Sequence, residues 1–389
     1  MTVIKRYRNV SGEPEFDDPV CRENTLSSLR RNYHRFFFLL AAALLAVTTV
    51  VSAQAAVILQ YHHISDDTPV STSTSPQQFL QHLNLIESEG FSVVPLTQLI
   101  EAQRAKTEGD NLSTSFDKQV AITFDDGYLS VFLEAYPLLK SRQWPFTVFV
   151  NTEPIDRQSR LHANWNQLRE MAENGTTIAN HTASHAHLLA RFEGETSLQW
   201  RQRVSSDIVA AQARIEEETG QTDRLLAYPY GEFDQQLMTL VKHLGFTAFG
   251  QHSGPITLPH SAQAIPRFPF GGVYGSASDF QMKLKTLAFP VDRVVLKGIA
   301  GIQTDGALLS GDEVNELDLI LVEEVPAVSC FGPVALNVEH SESRLRVKIT
   351  DKLPVGRSRI NCTARHSSGR YYWFSQPFFR PNDKGIWLD

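Results

Sequence analysis

Two adjacent carboxylates, Asp125 and Asp126, and two histidines four residues apart, His181 and His185, are the side chains of this 389-residue chain whose types and spacing could do chemistry together. On one helical turn the two imidazoles point to the same side and can share a cation. A carboxylate then completes a three-ligand site with an open position. Asp126 is the natural third ligand. Its neighbour Asp125 points elsewhere if the backbone is extended, and can act as a base toward water beside the cation. A dication nearby would keep that base ionised at neutral pH. By itself the histidine pair could equally be a solvated helix start; its conjunction with Asp125-Asp126-Gly127 at a strand end makes it a metal site. Two histidines and one carboxylate also suit Fe(II), but here the carboxylate precedes both histidines by more than fifty residues and no H-x-D occurs. His187 falls on the other side at helical spacing and reads as a surface residue.

These groups can cooperate only if the chain brings them to one rim. In parallel α/β folds ligands gather beyond the carboxyl ends of the strands. The apolar runs Val57–Gln60, Val120–Phe124, Phe146–Val150, Thr176–Ala179, Leu225–Ala227 and Phe246–Phe249 read as such strands. Polar groups follow them: His62 and His63, then Asp125 and Asp126, then His181 and His185, then Tyr228-Pro229-Tyr230-Gly231, with Arg267 after Ile265. Helical stripes lie between, including a helix from Pro76 capped by Ser75, Leu129–Arg142, Trp165–Glu173, Asp207–Thr219 and Gln235–Leu244. Repeated strand–helix units predict a parallel sheet covered by helices, closed as a barrel or doubly wound. Beyond Val291 the period changes to short strands, Leu317–Val322, Val334–Val338, Leu345–Ile349, Tyr371–Phe374 and Phe378–Phe379. They predict a small all-β, sandwich-like region.

The same residues carry a resemblance. Thr123-Phe124-Asp125-Asp126-Gly127 and His181-Thr182-Ala183-Ser184-His185 resemble the first two motifs of the polysaccharide deacetylases (NodB homology, carbohydrate esterase family 4). Ala227-Tyr228-Pro229-Tyr230-Gly231 is similar to their third, usually R-x-P-Y-G. The resemblance spans Val57–Phe270, a little over half of the chain, and implies a distorted (β/α) barrel of the NodB-homology type. It implies hydrolysis of N-acetyl, sometimes O-acetyl, groups on glycans. Asp125 would be the catalytic base, and Asp126, His181 and His185 the ligands of a divalent metal, commonly zinc. The backbone N–H of Tyr230 would support the oxyanion. Tyr61-His62-His63 resembles the opening of those family members that act on exported poly-N-acetylglucosamine. Two departures stand out. Ala227-Tyr228 occupies the place of the arginine that orients the base, so either Arg267 supplies it from another strand or the base is poised differently. The late motif with the catalytic-acid histidine is absent, leaving His252 and His62 as candidates. The expectation is an exported, metal-dependent deacetylase of an N-acetylglucosamine-containing polysaccharide; an O-acetyl glycan esterase and a non-catalytic glycan-binding or export protein are the alternatives.

Composition agrees with an ordinary globular body: 42% hydrophobic and 20% charged residues exclude collagen-like and wholly disordered chains. A net charge of −7 argues against a nucleic-acid partner. Arg30, Arg31 and Arg35 precede Phe36–Val51, a run without charge, and Ala53-Gln54-Ala55 follows as an A-x-A site. This is the pattern of a secretory signal peptide cut after Ala55, or of a signal anchor that holds the chain to the membrane through residues 36–55. The expected organisation is a disordered extension (1–29), the signal (30–55), the deacetylase domain (56–288) and a β-sandwich-like domain (289–389). The product would be periplasmic, secreted, or held on the outer side of the inner membrane. Cys330 and Cys362 then face an oxidising compartment, where a disulfide is the default over two buried thiols.

Overall fold

The computed structural model describes residues 55–107, 117–256, 262–298, 303–304 and 314–387. The expected extension (1–29), nearly all of the signal segment (30–55) and most of residues 106–118, whose polar sequence predicts an exposed loop, lie outside the described residues. No helix among the described residues is long and apolar enough to cross a membrane.

One parallel sheet carries the site. Its strands run Phe268–Pro269, Val57–Tyr61, Gln119–Phe124, Thr147–Val150, Thr177–Asn180, Leu225–Ala227, Thr247–Phe249, with Ser92–Val93 added beside Gln119–Phe124. Because successive side chains alternate across a strand, two cores form. Val57, Leu59, Val120, Ile122, Val148 and Ile178 face outward under the helices. Ile58, Ala121, Phe149, Ala179, Ala227 and Phe249 face inward. Following the inward parity toward the carboxyl ends leads from Ile58 to Gln60, from Ala121 through Thr123 to Asp125, and from Ala179 to His181. The pleat thus delivers polar groups from separate strands to one interior rim.

The curl is closed by a short return segment. Ile265 bridges to Phe249, with its N–H donating to Ala248 O and its carbonyl accepting from Gly250 N, both at 3.0 Å. Three residues on, Phe268 pairs with Leu59 at the opposite edge. Arg267 therefore sits on the seam of the distorted (β/α) barrel, two residues from inward-facing Ile265. Its side chain is fully buried.

The covering helices follow their sequence signals with two informative differences. The helix expected from Asp207 begins three turns earlier, as Ser197–Thr219, where Thr196 and Gln199 form a capping box and Trp200 and Val204 extend the buried stripe. The helix after Gly127 opens with a wide π turn, Val131–Ala135, before Tyr136–Ser141. Pro137 cannot donate a helical hydrogen bond, and the wide turn accommodates it.

The C-terminal region is all-β. One sheet orders Leu287–Ala288, Tyr371–Arg380, Gly356–Arg365, Ser329–Phe331. The other orders Gln303–Thr304, Val291–Lys297, Glu316–Leu321, Arg344–Ile349, Leu336–Ser341. Leu317, Leu319, Leu345, Val347, Ile360 and Phe378 share one buried cluster. The two aromatic strands expected near the end are one ten-residue strand, Tyr371–Arg380. Pro377 is tolerated there because the strand's second neighbour pairs only at Tyr372 and Trp373, leaving an edge. Cys330 lies opposite Cys362 and is bonded to it, S–S 2.04 Å. Barrel and β-region share packing: Trp373 meets Phe268 with ring centroids 5.5 Å apart, and Phe379 meets Phe233 at 5.4 Å.

Candidate active site

Asp125 directly follows the strand Gln119–Phe124 and is fully buried. Its backbone N–H donates to Tyr61 O at 2.9 Å. Arg267 grips the carboxylate with both terminal nitrogens, at 2.7 and 2.8 Å, and Gln60 Nε2 adds a third donor at 2.6 Å. Arg267 is itself fixed by Nε donating to Gly250 O at 3.0 Å. Burial alone would raise the carboxyl pKa; the Arg267 guanidinium and His181 outweigh it and hold Asp125 below the usual carboxylate range. Arg267 reaches this carboxylate from the closing segment, not from the third motif.

Asp126 faces another way because its backbone is left-handed, φ 70°. Gly127 continues the turn at φ 69°, and a Cβ there would stand 2.9 Å from Val150 Cγ1, so this position requires glycine. Asp126 Oδ1 meets His181 Nε2 at 3.3 Å and His185 Nε2 at 3.2 Å. Burial works against the charge, but the two imidazoles hold the Asp126 carboxyl well below its ordinary range. For His181 burial pulls downward, and the Asp126 and Asp125 carboxylates push it above its ordinary value.

The histidine pair converges, though not on a helical turn as its spacing suggested. Residues 181–187 form a loop after the strand Thr177–Asn180, with Thr182 at φ 66° and His185 at φ 55°. Side chains replace the helix as the organising force. Asn180 Oδ1 accepts from Thr182 N at 2.8 Å, Thr182 Oγ1 accepts from His185 N at 3.0 Å, and Asp207 accepts from both Ser184 N and Ser184 Oγ at 3.0 Å. The local carboxylate and amide bonds outcompete a helical turn at this position.

The donor set fits a divalent cation. The ligand atoms of Asp126, His181 and His185 all lie within 4.8 Å of one another. His181 Nδ1 is 2.8 Å from Ala227 O, an acceptor, so this nitrogen carries a proton, and in the neutral ring Nε2 is left with a lone pair for a cation. His181 Nε2 and Asp126 Oδ1 are both buried without a hydrogen-bond partner. Two lone pairs facing each other in a buried site are an acceptor cradle for a cation.

Tyr230 lies in the turn Pro229–Gly231 with φ 59° and ψ 3°. Of eight non-glycine residues with positive φ among the described residues, four are Asp126, Thr182, His185 and Tyr230, so the backbone strain is gathered at this site. The Tyr230 ring stacks on His187 at 3.9 Å and meets the edge of His185 at 4.7 Å. His187 is accordingly no surface residue. The loop turns its ring onto Tyr230, and its Nδ1 is 2.8 Å from Glu232 Oε2.

The two acid candidates part company. His62 is half-buried and directly follows the strand Val57–Tyr61, whose end accepts from Asp125 N. His252 is buried against Phe233 and lines a cavity of about 100 Å³ shared with Trp373 and Ser375, which holds none of the metal-cradle residues. Sequence reasoning missed Gln60, Asp207, Glu232 and the stack of Tyr128 on His63 at 3.6 Å beside Asp126. Gln60 had a signal: a polar residue of inward parity in an otherwise apolar strand. Burial pushes the Tyr128 hydroxyl up and His63 down to about 4, so both are neutral at pH 7.

A curled parallel barrel with carboxylates and imidazoles at its carboxyl rim defines a class of metal-site α/β barrels. Residues 113–249 match the family model described as polysaccharide deacetylase. The chain is 27% identical over 232 residues to the poly-β-1,6-N-acetyl-D-glucosamine N-deacetylase of Escherichia coli K12, covering 51% of this chain and 33% of that protein. It is 26% identical over 201 residues to the enzyme of the same name from Staphylococcus epidermidis, covering 50% and 67%. The chain thus spans about a third of the length of the first of these relatives. Among solved structures, the Streptococcus pyogenes deacetylase PplD aligns over 59% of this chain and 98% of its own, with TM-score 0.51 and 20% identity. A de-N-acetylase from Aggregatibacter actinomycetemcomitans aligns over 59% and 99%, with TM-score 0.51 and 23% identity. Both likenesses support the barrel fold.

Proposed function

We propose that this chain is an exported, zinc-dependent deacetylase that hydrolyses N-acetyl groups of a poly-N-acetylglucosamine, releasing acetate. The observation that carries this reading is the pairing of an acceptor cradle, Asp126, His181 and His185, with a separate carboxylate, Asp125, kept ionised by Arg267. A divalent cation in the cradle would supply Lewis-acid polarisation of the acetamide carbonyl and of water. Asp125 takes the proton of the attacking water, and Arg267 with Gln60 fixes its orientation. Tyr230 donates its backbone N–H to the oxygen on which negative charge develops. His62, one residue beyond the strand Val57–Tyr61, and His252 are the candidates to hand a proton to the leaving nitrogen. The relatives' names favour a β-1,6-linked substrate. The apolar segment 36–51 with its A-x-A site supports export, with a domain boundary near 288.

The test is acetate release by residues 56–389 after chelation and again with zinc restored. Substrates would be β-1,6- and β-1,4-linked N-acetylglucosamine oligomers and acetylated xylan. Zinc-restored release from the β-1,6 series is the expected result. Release from xylan alone would reassign the chain to the O-acetyl esterases, and silence on all three with zinc bound would leave a glycan-binding role.

A further inference from the structure

The all-β region reaches into the deacetylase site. Its strand Gly356–Arg365 sends two arginines of the same parity toward the barrel. Arg359 Nη1 donates to Gln251 O at 3.1 Å, and Gln251 is the residue against which Gly231 packs without room for a Cβ. The Arg357 guanidinium lies 5.1 Å from the centroid of the Tyr230 ring and 3.8 Å from Glu232 Oε1. Glu232 is fully buried, and its other oxygen meets His187 Nδ1 at 2.8 Å. His187 in turn stacks on the Tyr230 ring.

Tyr230, left-handed and non-glycine, must be held in place by its surroundings. Its ring is gripped by His187, His185 and Arg357, while the buried Glu232 carboxylate beneath is compensated by His187 and by Arg357 from the other region. Loss of the guanidinium removes a cation from the tyrosine face and leaves Glu232 with one partner, which is costly for a buried carboxylate.

We propose that Arg357 is a positioning residue of the active site: through Tyr230 and Glu232 it fixes the backbone N–H that meets the oxyanion, making the all-β region a working part of the deacetylase. This inference rests on the deacetylase reading, yet its structural half can be read without turnover.

The experiment compares full-length zinc-loaded wild type, Arg357→Ala and Arg357→Lys, each labelled with ¹⁵N-tyrosine and assigned through Tyr230→Phe. In Arg357→Ala the Tyr230 amide resonance should move, and kcat on β-1,6 N-acetylglucosamine oligomers should fall about tenfold or more with KM little changed, since a small misplacement near the chemistry is expensive. Arg357→Lys, which restores the cation, should return both toward wild type, while zinc retention against a chelator stays the same in all three. An unmoved Tyr230 resonance, or wild-type kcat in Arg357→Ala, would overturn the proposal. If Arg357→Ala does not fold, Glu232→Gln/Arg357→Gln takes its place with the same two outcomes, because it buries no unpaired charge. A wild type that releases no acetate would sink the deacetylase reading alone, leaving the amide resonance to decide the brace.

Discussion

At the scale of residues, the site divides two neighbouring aspartates by backbone conformation. Asp125 keeps the extended parity of its strand and meets Arg267, whereas left-handed Asp126 turns to the histidines. Asp125→Asn keeps the shape and removes the proposed base, so kcat should fall by about 10²–10⁴-fold while binding of added zinc, followed by chelator competition, persists; near-full turnover would refute the base assignment. Arg267→Gln probes the other half of the pair. With the guanidinium gone, burial dominates and the Asp125 pKa rises, so the acid limb of kcat/KM should move to higher pH. Stability shifts in the same sense. The native pair contributes above the unfolded carboxyl pKa, and that contribution is lost as pH falls through the depressed folded value. Because both side chains are fully buried, breaking the pair should cost about 3–5 kcal/mol in denaturant titration. An unshifted acid limb would mean that Arg267 does not set the state of the base.

At the scale of elements, parity explains what the sequence could disclose. Alternation within apolar strands foretells that Asp125 and His181 end inward lines, so the rim was legible from strand ends. The loop that carries His185 was not, because its course is set by Asn180, Thr182 and Asp207, and Asp207 lies on a helix more than twenty residues away. The first half of that helix had a readable start in Thr196 and Gln199. The strand Gly356–Arg365 had little signal, since its arginines and serine mask the buried Ile360 and Cys362. The helix Pro76–Ser88 yields a prediction of its own. His82 is buried between Tyr61, whose hydroxyl lies 3.0 Å from Nδ1, and Gly275 O, 2.8 Å from Nε2. The carbonyl can only accept, so Nε2 carries the proton and Nδ1 takes that of Tyr61. Burial lowers the His82 pKa to about 4. The unfolded chain therefore binds this proton first, and stability should fall as pH drops from about 6.5 to about 4, by up to about 3 kcal/mol. His82→Gln should flatten that slope in urea titrations across this range; an unchanged slope would assign it to His63 or His162 instead.

At the scale of the molecule, barrel and all-β region are tied together at places that matter to the site. Trp373 comes from the β-strand Tyr371–Arg380, yet it belongs to the core under the barrel's helices and packs on Phe268, the residue after Arg267. Phe379, further along the same strand, packs on Phe233 behind the third motif. Ala53–Asp389 accordingly forms one unit, and it should melt in a single cooperative transition. The bond between Cys330 and Cys362 lies in the β-region, where its 32-residue separation predicts about 3–4 kcal/mol of stabilisation in the chain-entropy model. If the regions are independent, reduction lowers only a separate β-region transition and leaves the barrel's untouched. If they share a core, reduction lowers the one common transition, and loss of zinc-binding fluorescence moves with loss of β-structure in circular dichroism. Trp373→Ala separates the alternatives further. Removing this side chain should cost about 3–5 kcal/mol and loosen the seam beside Arg267, so the variant should melt in two steps where the wild type melts in one. Two resolved transitions already in the oxidised wild type would refute the shared core, and with it the reason for Arg267 and Tyr230 to depend on a region outside the barrel.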